Sequence, residues 1–88
     1  MNYYIIVFKN TLDAMNGEKS LKEENFIFKM MPTPTAITQS CGICIRIEEK
    51  KYIDEIIERN IISYKNIYIK EENVFKKVID SVKFRMKK

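Results

Sequence analysis

The chain has no histidine and no tryptophan, and its 88 residues include only two glycines, two prolines and two cysteines. Each scarcity removes a class of chemistry. Without histidine there is no Cys-His or Ser-His dyad. Two cysteines leave the four-ligand shell of a structural zinc half empty within one chain. No Gly-rich loop is present to cradle phosphate. No apolar run approaches the roughly 18 residues of a membrane span. Tyr3 to Phe8 is too short for a signal-peptide core and has no basic segment before it. No metal, cofactor or membrane is therefore expected. A cytoplasmic protein follows, in which the cysteines are thiols rather than a structural disulfide.

What is present is a small soluble domain near the lower limit for a self-sufficient core. Hydrophobic residues make up 45% and charged residues 32%, and the formal net charge is +4. Much of the positive excess lies in the last third, ending Lys83-Phe84-Arg85-Met86-Lys87-Lys88. That tail reads as a solvated helix end whose cations offset the macrodipole. Nucleic acid is not an expected partner, because the basic residues are not interleaved with exposed aromatics.

Tyr3 to Phe8 is a β-branched and aromatic run, hence a strand. With both faces apolar it should be central. Asn10 or Thr11 can cap a helix from about Leu12 to Glu23, with Asp13 in its first turn. Ala14, Gly17 and Leu21 share its buried face, Glu18 stands at the edge, and Gly17 brings the helix close to a sheet. Phe26 to Met31 reads as a second strand, with Phe26, Phe28 and Met30 on one side, ended by Pro32 and Pro34. Ile43 to Glu48 is a third, Ile43, Ile45 and Ile47 pointing one way and Cys44 and Arg46 the other. A helix over about Lys50 to Asn60 buries Tyr52, Ile53, Ile56 and Ile57. Asn66 to Ile69 is a fourth strand. A last helix is expected from about Glu71, with Val74, Phe75, Val78, Ile79, Val82 and Met86 as its stripe and Phe84 opposite.

The order β-α-β-β-α-β predicts an α+β, ferredoxin-like two-layer sandwich over residues 1–70. Residues 71–88 form an additional C-terminal helical extension. Two helices cover one sheet face and leave the other open. Its expected lining is one of the sets Tyr3/Ile5/Val7 or Tyr4/Ile6/Phe8, with Ile27, Met31 and Cys44. That is too apolar to stay wet, so the last helix should pack on it or on a second subunit.

Cys41 ends a long Pro-bounded loop, Pro32 to Gly42, of a length that tends to carry function or disorder. The third strand should run antiparallel beside the first. That places Cys41 near the backbone N–H groups around Thr11 to Asp13, and near Lys9. A helix N-terminus favours an anion and raises the thiolate fraction, although an inward Asp13 would oppose this. Gly42 permits close backbone approach, and Ser40 can hydrogen-bond the sulfur. Against this stands the plain alternative that cysteine is a small buried hydrophobe, and for Cys44, inside a strand, that is the reading adopted.

Cys41-Gly42-Ile43-Cys44 also spells a Cys-x-x-Cys, with Cys44 as the second thiol of a redox pair. Extended residues three apart stand about 10 Å apart, beyond the roughly 7 Å a disulfide tolerates, unless the chain bends at Gly42. Glu18 is expected to pair with a nearby base rather than to act in catalysis.

Taken together, Tyr3-Tyr4-Ile5-Ile6-Val7-Phe8, Thr11-x-Asp13-Ala14, Glu18-x-x-Leu21-Lys22, Pro32-x-Pro34, Ile37-x-x-Ser40-Cys41-Gly42 and Arg46 resemble the selenium/sulfur carrier protein-like family of small bacterial domains. The resemblance covers roughly residues 3 to 69, and Pro-x-Pro followed by Ser-Cys-Gly is its most specific part. It implies a reactive cysteine at Cys41 and a neighbouring arginine at Arg46. The expectation is a carrier rather than a turnover enzyme. Cys41 would take a sulfane sulfur or selenium as a persulfide or perselenide and pass it between donor and acceptor proteins. Ser40, Gly42, Lys9, Thr11, Arg46 and Glu18 would support it. The chain departs from the family's pattern at Cys44 and in its final helix. Two other readings stand beside this one: an interaction or homodimerisation module using that helix, and a dithiol redox protein using Cys41 and Cys44.

Overall fold

In the computed structural model, residues 2–37, 42–72 and 74–78 are described. Five antiparallel strands form one sheet, β1 (Tyr3–Val7), β2 (Lys29–Pro32), β3 (Ile43–Ile47), β4 (Asn66–Glu71) and β5 (Val74–Lys77), in the order β2-β3-β1-β4-β5. Among the described residues, two helices, α1 (Thr11–Glu23) and α2 (Lys50–Arg59), join the sheet in an α+β fold. None of the described helices is long and apolar enough to cross a membrane.

β1 is central, flanked by β3 and β4, with Val7 facing Cys44 on one side and Asn66 on the other. Its alternation divides the core in two. Ile6 and Phe8 join Ala14, Leu21, Ile45, Ile47, Ile53, Ile56 and Ile67 on the helix-covered face. Ile5 and Val7 join Cys44 and Ile37 on the opposite face, away from α1 and α2, bordered by Tyr3, Met31, Tyr68 and Phe75. Ile5, Ile6, Ile45, Ile47 and Ile56 are fully buried, and each such side chain contributes on the order of 1.5–3 kcal/mol.

The helix ends follow from their caps. Asn10, extended at φ −151°, accepts through Oδ1 from the Asp13 amide at 2.8 Å, satisfying a first-turn donor. At the other end Asn25 takes φ 63°. Its amide donates to Lys22 O, and the Phe26 amide to Leu21 O. This is a Schellman closure with asparagine in the left-handed position. Asn60, at φ 54°, ends α2 in the same region. Arg59 joins the helices, donating to both carboxylate oxygens of Glu24 and to Glu55.

Four expectations need correction. The strand order departs from the four-stranded ferredoxin-like sheet, because β5 adds a fifth strand outside β4. Nor does a helix begin near Glu71. Glu71 faces Val74 and Lys70 faces Phe75 across a hairpin, and Glu72 turns the chain with φ 54°. The positive φ of Glu72 suits the tight connection implied by Glu71 facing Val74. Ile79, Val82, Phe84 and Met86 of the expected stripe lie outside the described residues. β2 is shorter than expected: Phe26 leaves the ladder and stacks on Tyr52, ring centroids 4.5 Å apart. Pro32 pairs with Ile43, which an edge strand tolerates because proline only withholds a donor. Finally, Ile27 is not on a covered face; it is 72% exposed.

Candidate functional site

β3 starts beside the place where β1 stops. Val7 faces Cys44, so Gly42, two residues earlier, lies at the end of the sheet from which the chain leaves β1 for Lys9 and α1. Lys9 and Thr11 are both exposed. Lys9, the α1 N-terminus and the start of β3 therefore lie toward the same end of the sheet. Of the first-turn amides there, that of Asp13 is already taken by the Asn10 cap.

Ser40 and Cys41 lie outside the described residues, and Gly42 is the described residue nearest to them in sequence. Gly42 is exposed. Its carbonyl accepts from the Thr33 amide at 3.1 Å, extending the β2–β3 pairing one step past Pro32 and Ile43. A Cβ built on Gly42 meets nothing within 4 Å, and no glycine has positive φ. Neither crowding nor backbone strain requires glycine there.

The loop before it is tied at its other end. The Ile37 amide donates to Pro34 O at 3.0 Å, and Ile37, only 8% exposed, packs with Ile5, Val7 and Cys44. Ile37 and Thr33 were not singled out as anchors from the sequence. The one signal for Ile37 was an isoleucine within an otherwise polar, proline-rich loop.

The remaining candidates are not gathered there. Cys44 is fully buried on the face opposite α1 and α2, its thiol donating to Pro32 O with Sγ 3.8 Å away. It packs as a small apolar side chain, which gives the dithiol reading little support. Arg46 faces Ile5, four residues beyond Gly42, or about 13 Å along a strand. Its guanidinium lies over the Tyr3 ring at 3.9 Å and pairs with Glu48 at 2.9 Å, while its buried Nε has no hydrogen-bond partner among the described residues. A shallow hollow of about 260 Å³ beside it is lined by Ile27, Phe28, Lys29, Arg46, Glu48 and Glu49. Glu18 pairs with Lys22 at 3.4 Å, one turn along α1. Among the described residues, no group of three or more His, Cys, Asp or Glu side chains is placed to hold a metal.

A family model described as "Putative Se/S carrier protein-like" matches residues 3–69. The chain belongs to this family. The family region runs from the first residue of β1 into β4 and includes both helices and the Pro32–Gly42 loop. It leaves β5 outside. No curated protein and no solved structure matches the chain.

Proposed function

We propose that this protein is a cytoplasmic selenium/sulfur carrier whose working atom is the sulfur of Cys41. The observation that carries the reading is the family match, which spans the whole loop bearing Ser40-Cys41-Gly42. The geometry of the described part supports it. Gly42 opens to solvent at the sheet end that also presents Lys9 and the start of α1. Lys9 and the uncapped amides of the first turn of α1 act in favour of thiolate over thiol there, and the Asp13 carboxylate acts against it.

The step is an exchange at sulfur. The Cys41 thiolate attacks the outer sulfur of a donor persulfide, R–S–SH. The donor's S–S bond breaks, a Cys41–S–SH bond forms, and the donor leaves as R–S⁻. The proton stays on the transferred sulfur and no net electrons move. A donor selenium atom follows the same path, and an acceptor nucleophile reverses the step. In this reading Ser40 and the Gly42 amide, the sequence neighbours of Cys41, hydrogen-bond the transferred atom, and Lys9 offsets the charge of the attacking thiolate.

The test is loading by a low-molecular-weight persulfide, read by intact and peptide mass spectrometry. The native chain should gain one sulfur on Cys41, Cys44→Ala should match it, and Cys41→Ser should gain none. Equal uptake by Cys41→Ser, or none by the native chain, removes the carrier reading. Loss of two hydrogens with both cysteines joined would instead establish the dithiol.

A further inference from the structure

The hollow beside Arg46 opens where β2 parts from β3. β2 begins at Lys29, opposite Arg46, while β3 runs on to Ile47. Ile27, Phe28, Lys29, Arg46, Glu48 and Glu49 line about 260 Å³. That is the small end of ligand sites, which suits a metabolite rather than a protein segment.

The charges around it balance in number but not in pairs. Lys29 stands directly opposite Arg46, so two cations share one sheet face, where like charges repel. Glu48 answers Arg46 at 2.9 Å. Lys29 has no ion pair among the described residues, and neither has Glu49. Both are exposed. Glu49 is the N-cap residue of α2, yet its side chain makes no capping hydrogen bond. The hollow is therefore bordered by one free cation and one free anion that do not neutralise each other. Arg46 adds a donor, because its buried Nε has no hydrogen-bond partner among the described residues, an uncommon state for a buried polar atom. The rest of the lining is apolar: Ile27, 72% exposed, and half-buried Phe28.

A ligand of one sign would satisfy one of the free charges and be repelled by the other. We infer that the hollow binds a free α-amino acid with an apolar side chain. The ligand carboxylate accepts from Lys29 and from the unused donor of Arg46, and the ligand ammonium donates to Glu49. Its side chain covers Ile27 and Phe28. The ligand brings no net charge, which suits a site whose own charges sum to zero. This binding needs no part of Cys41 and is independent of the carrier reading.

Backbone amide NMR of the native chain, titrated with L-leucine, tests this. Shifts should centre on residues 27–29 and 46–49 and reach half-saturation at about 1 mM. Two analogues each lack one charge: isoamylamine has no carboxylate and isocaproate has no ammonium. Each should bind at least about tenfold more weakly than leucine. Lys29→Gln should weaken leucine about fivefold without weakening isoamylamine, and Glu49→Gln should weaken leucine as much without weakening isocaproate. Both side chains are exposed, and unchanged amide spectra away from the hollow confirm that each variant is folded. Absence of shifts up to about 20 mM leucine, shifts centred elsewhere, or equal binding of either analogue overturns the site.

Discussion

The guanidinium of Arg46 lies 3.9 Å from the centre of the Tyr3 ring, joining β3 to β1 on the sheet face opposite α1 and α2. The same ring has Lys70 at 5.8 Å, and Lys70 stands 5.9 Å from the Phe75 ring. Cations and rings therefore alternate from β3 through β1 and β4 to β5. Such contacts are worth about 0.5–2 kcal/mol when partly shielded from water. Arg46 thus has a structural partner at the far end of β3 from Gly42.

Arg46→Ala separates a structural from a chemical role. It should lower unfolding free energy by about 1 kcal/mol through the lost ring contact. It should leave the rate of Cys41 alkylation within about twofold, because a surface charge four strand residues from Gly42 is largely screened. Urea unfolding and iodoacetamide kinetics measure the two. A large fall in alkylation rate with unchanged stability would place Arg46 in the chemistry.

Gly17 and Gly42 should respond oppositely to alanine. A Cβ at Gly17 would stand 3.0 Å from Cε1 and Cζ of Phe8, a fully buried ring. Overpacking of that kind costs about 1–3 kcal/mol, against a gain in helix propensity of about 0.8–1 kcal/mol. A net loss of up to about 2 kcal/mol is expected for Gly17→Ala. At Gly42 the Cβ meets open space, so stability should move by less than about 0.5 kcal/mol. Thermal unfolding of both variants checks this, and slower persulfide loading in Gly42→Ala would locate a role in the exposed amide.

Much of this fold was written in short-range patterns. The alternation of Tyr3 to Val7, the odd-even split between Ile43/Ile45/Ile47 and Cys44/Arg46, and the stripe of Ile53, Ile56 and Ile57 are each set by one element's own periodicity. The C-terminal hairpin was not legible. Val74, Phe75 and Val78 satisfy a helical stripe and a strand equally well. The deciding factor is pairing with Lys70 and Glu71, a tertiary contact no local pattern displays. Phe26 misled for a related reason: its ring is satisfied by stacking on Tyr52 rather than by a place in the ladder. At the candidate site the end-to-end placement of Lys9, Thr11 and Gly42 followed from strand direction alone. Ile37 as an anchor did not, because burial in a loop depends on the face that the loop crosses.

Cys44 should behave as core. It is fully buried, with its thiol directed at Pro32 O. Its alkylation in the native protein should track unfolding, accelerating in urea in step with the loss of tertiary signal. Cys44→Ala should cost on the order of 1 kcal/mol through the small cavity left in place of the sulfur. Peptide mass spectrometry after timed alkylation reads the first, and urea titration the second. Native-state labelling faster than unfolding would return Cys44 to the candidates for chemistry.

Stability should also fall at alkaline pH through Tyr64. Burial of its ring beside the helix-side core raises the phenol's pKa above the ordinary tyrosine value of 10.0, because a phenolate there would lose hydration. In the unfolded chain the same phenol ionises at about 10. Between those two values the unfolded state releases a proton that the folded state keeps, so ionisation pulls the equilibrium toward unfolding. The contribution is complete below about pH 10 and is lost as pH rises through the folded-state value. Tyr64→Phe removes the titrating group while keeping the ring. Urea midpoints from pH 8 to 11 should therefore fall less steeply in Tyr64→Phe than in the native chain, with the curves diverging only above about pH 9. Parallel curves throughout would mean that Tyr64 ionises as freely in the folded protein as in the unfolded one.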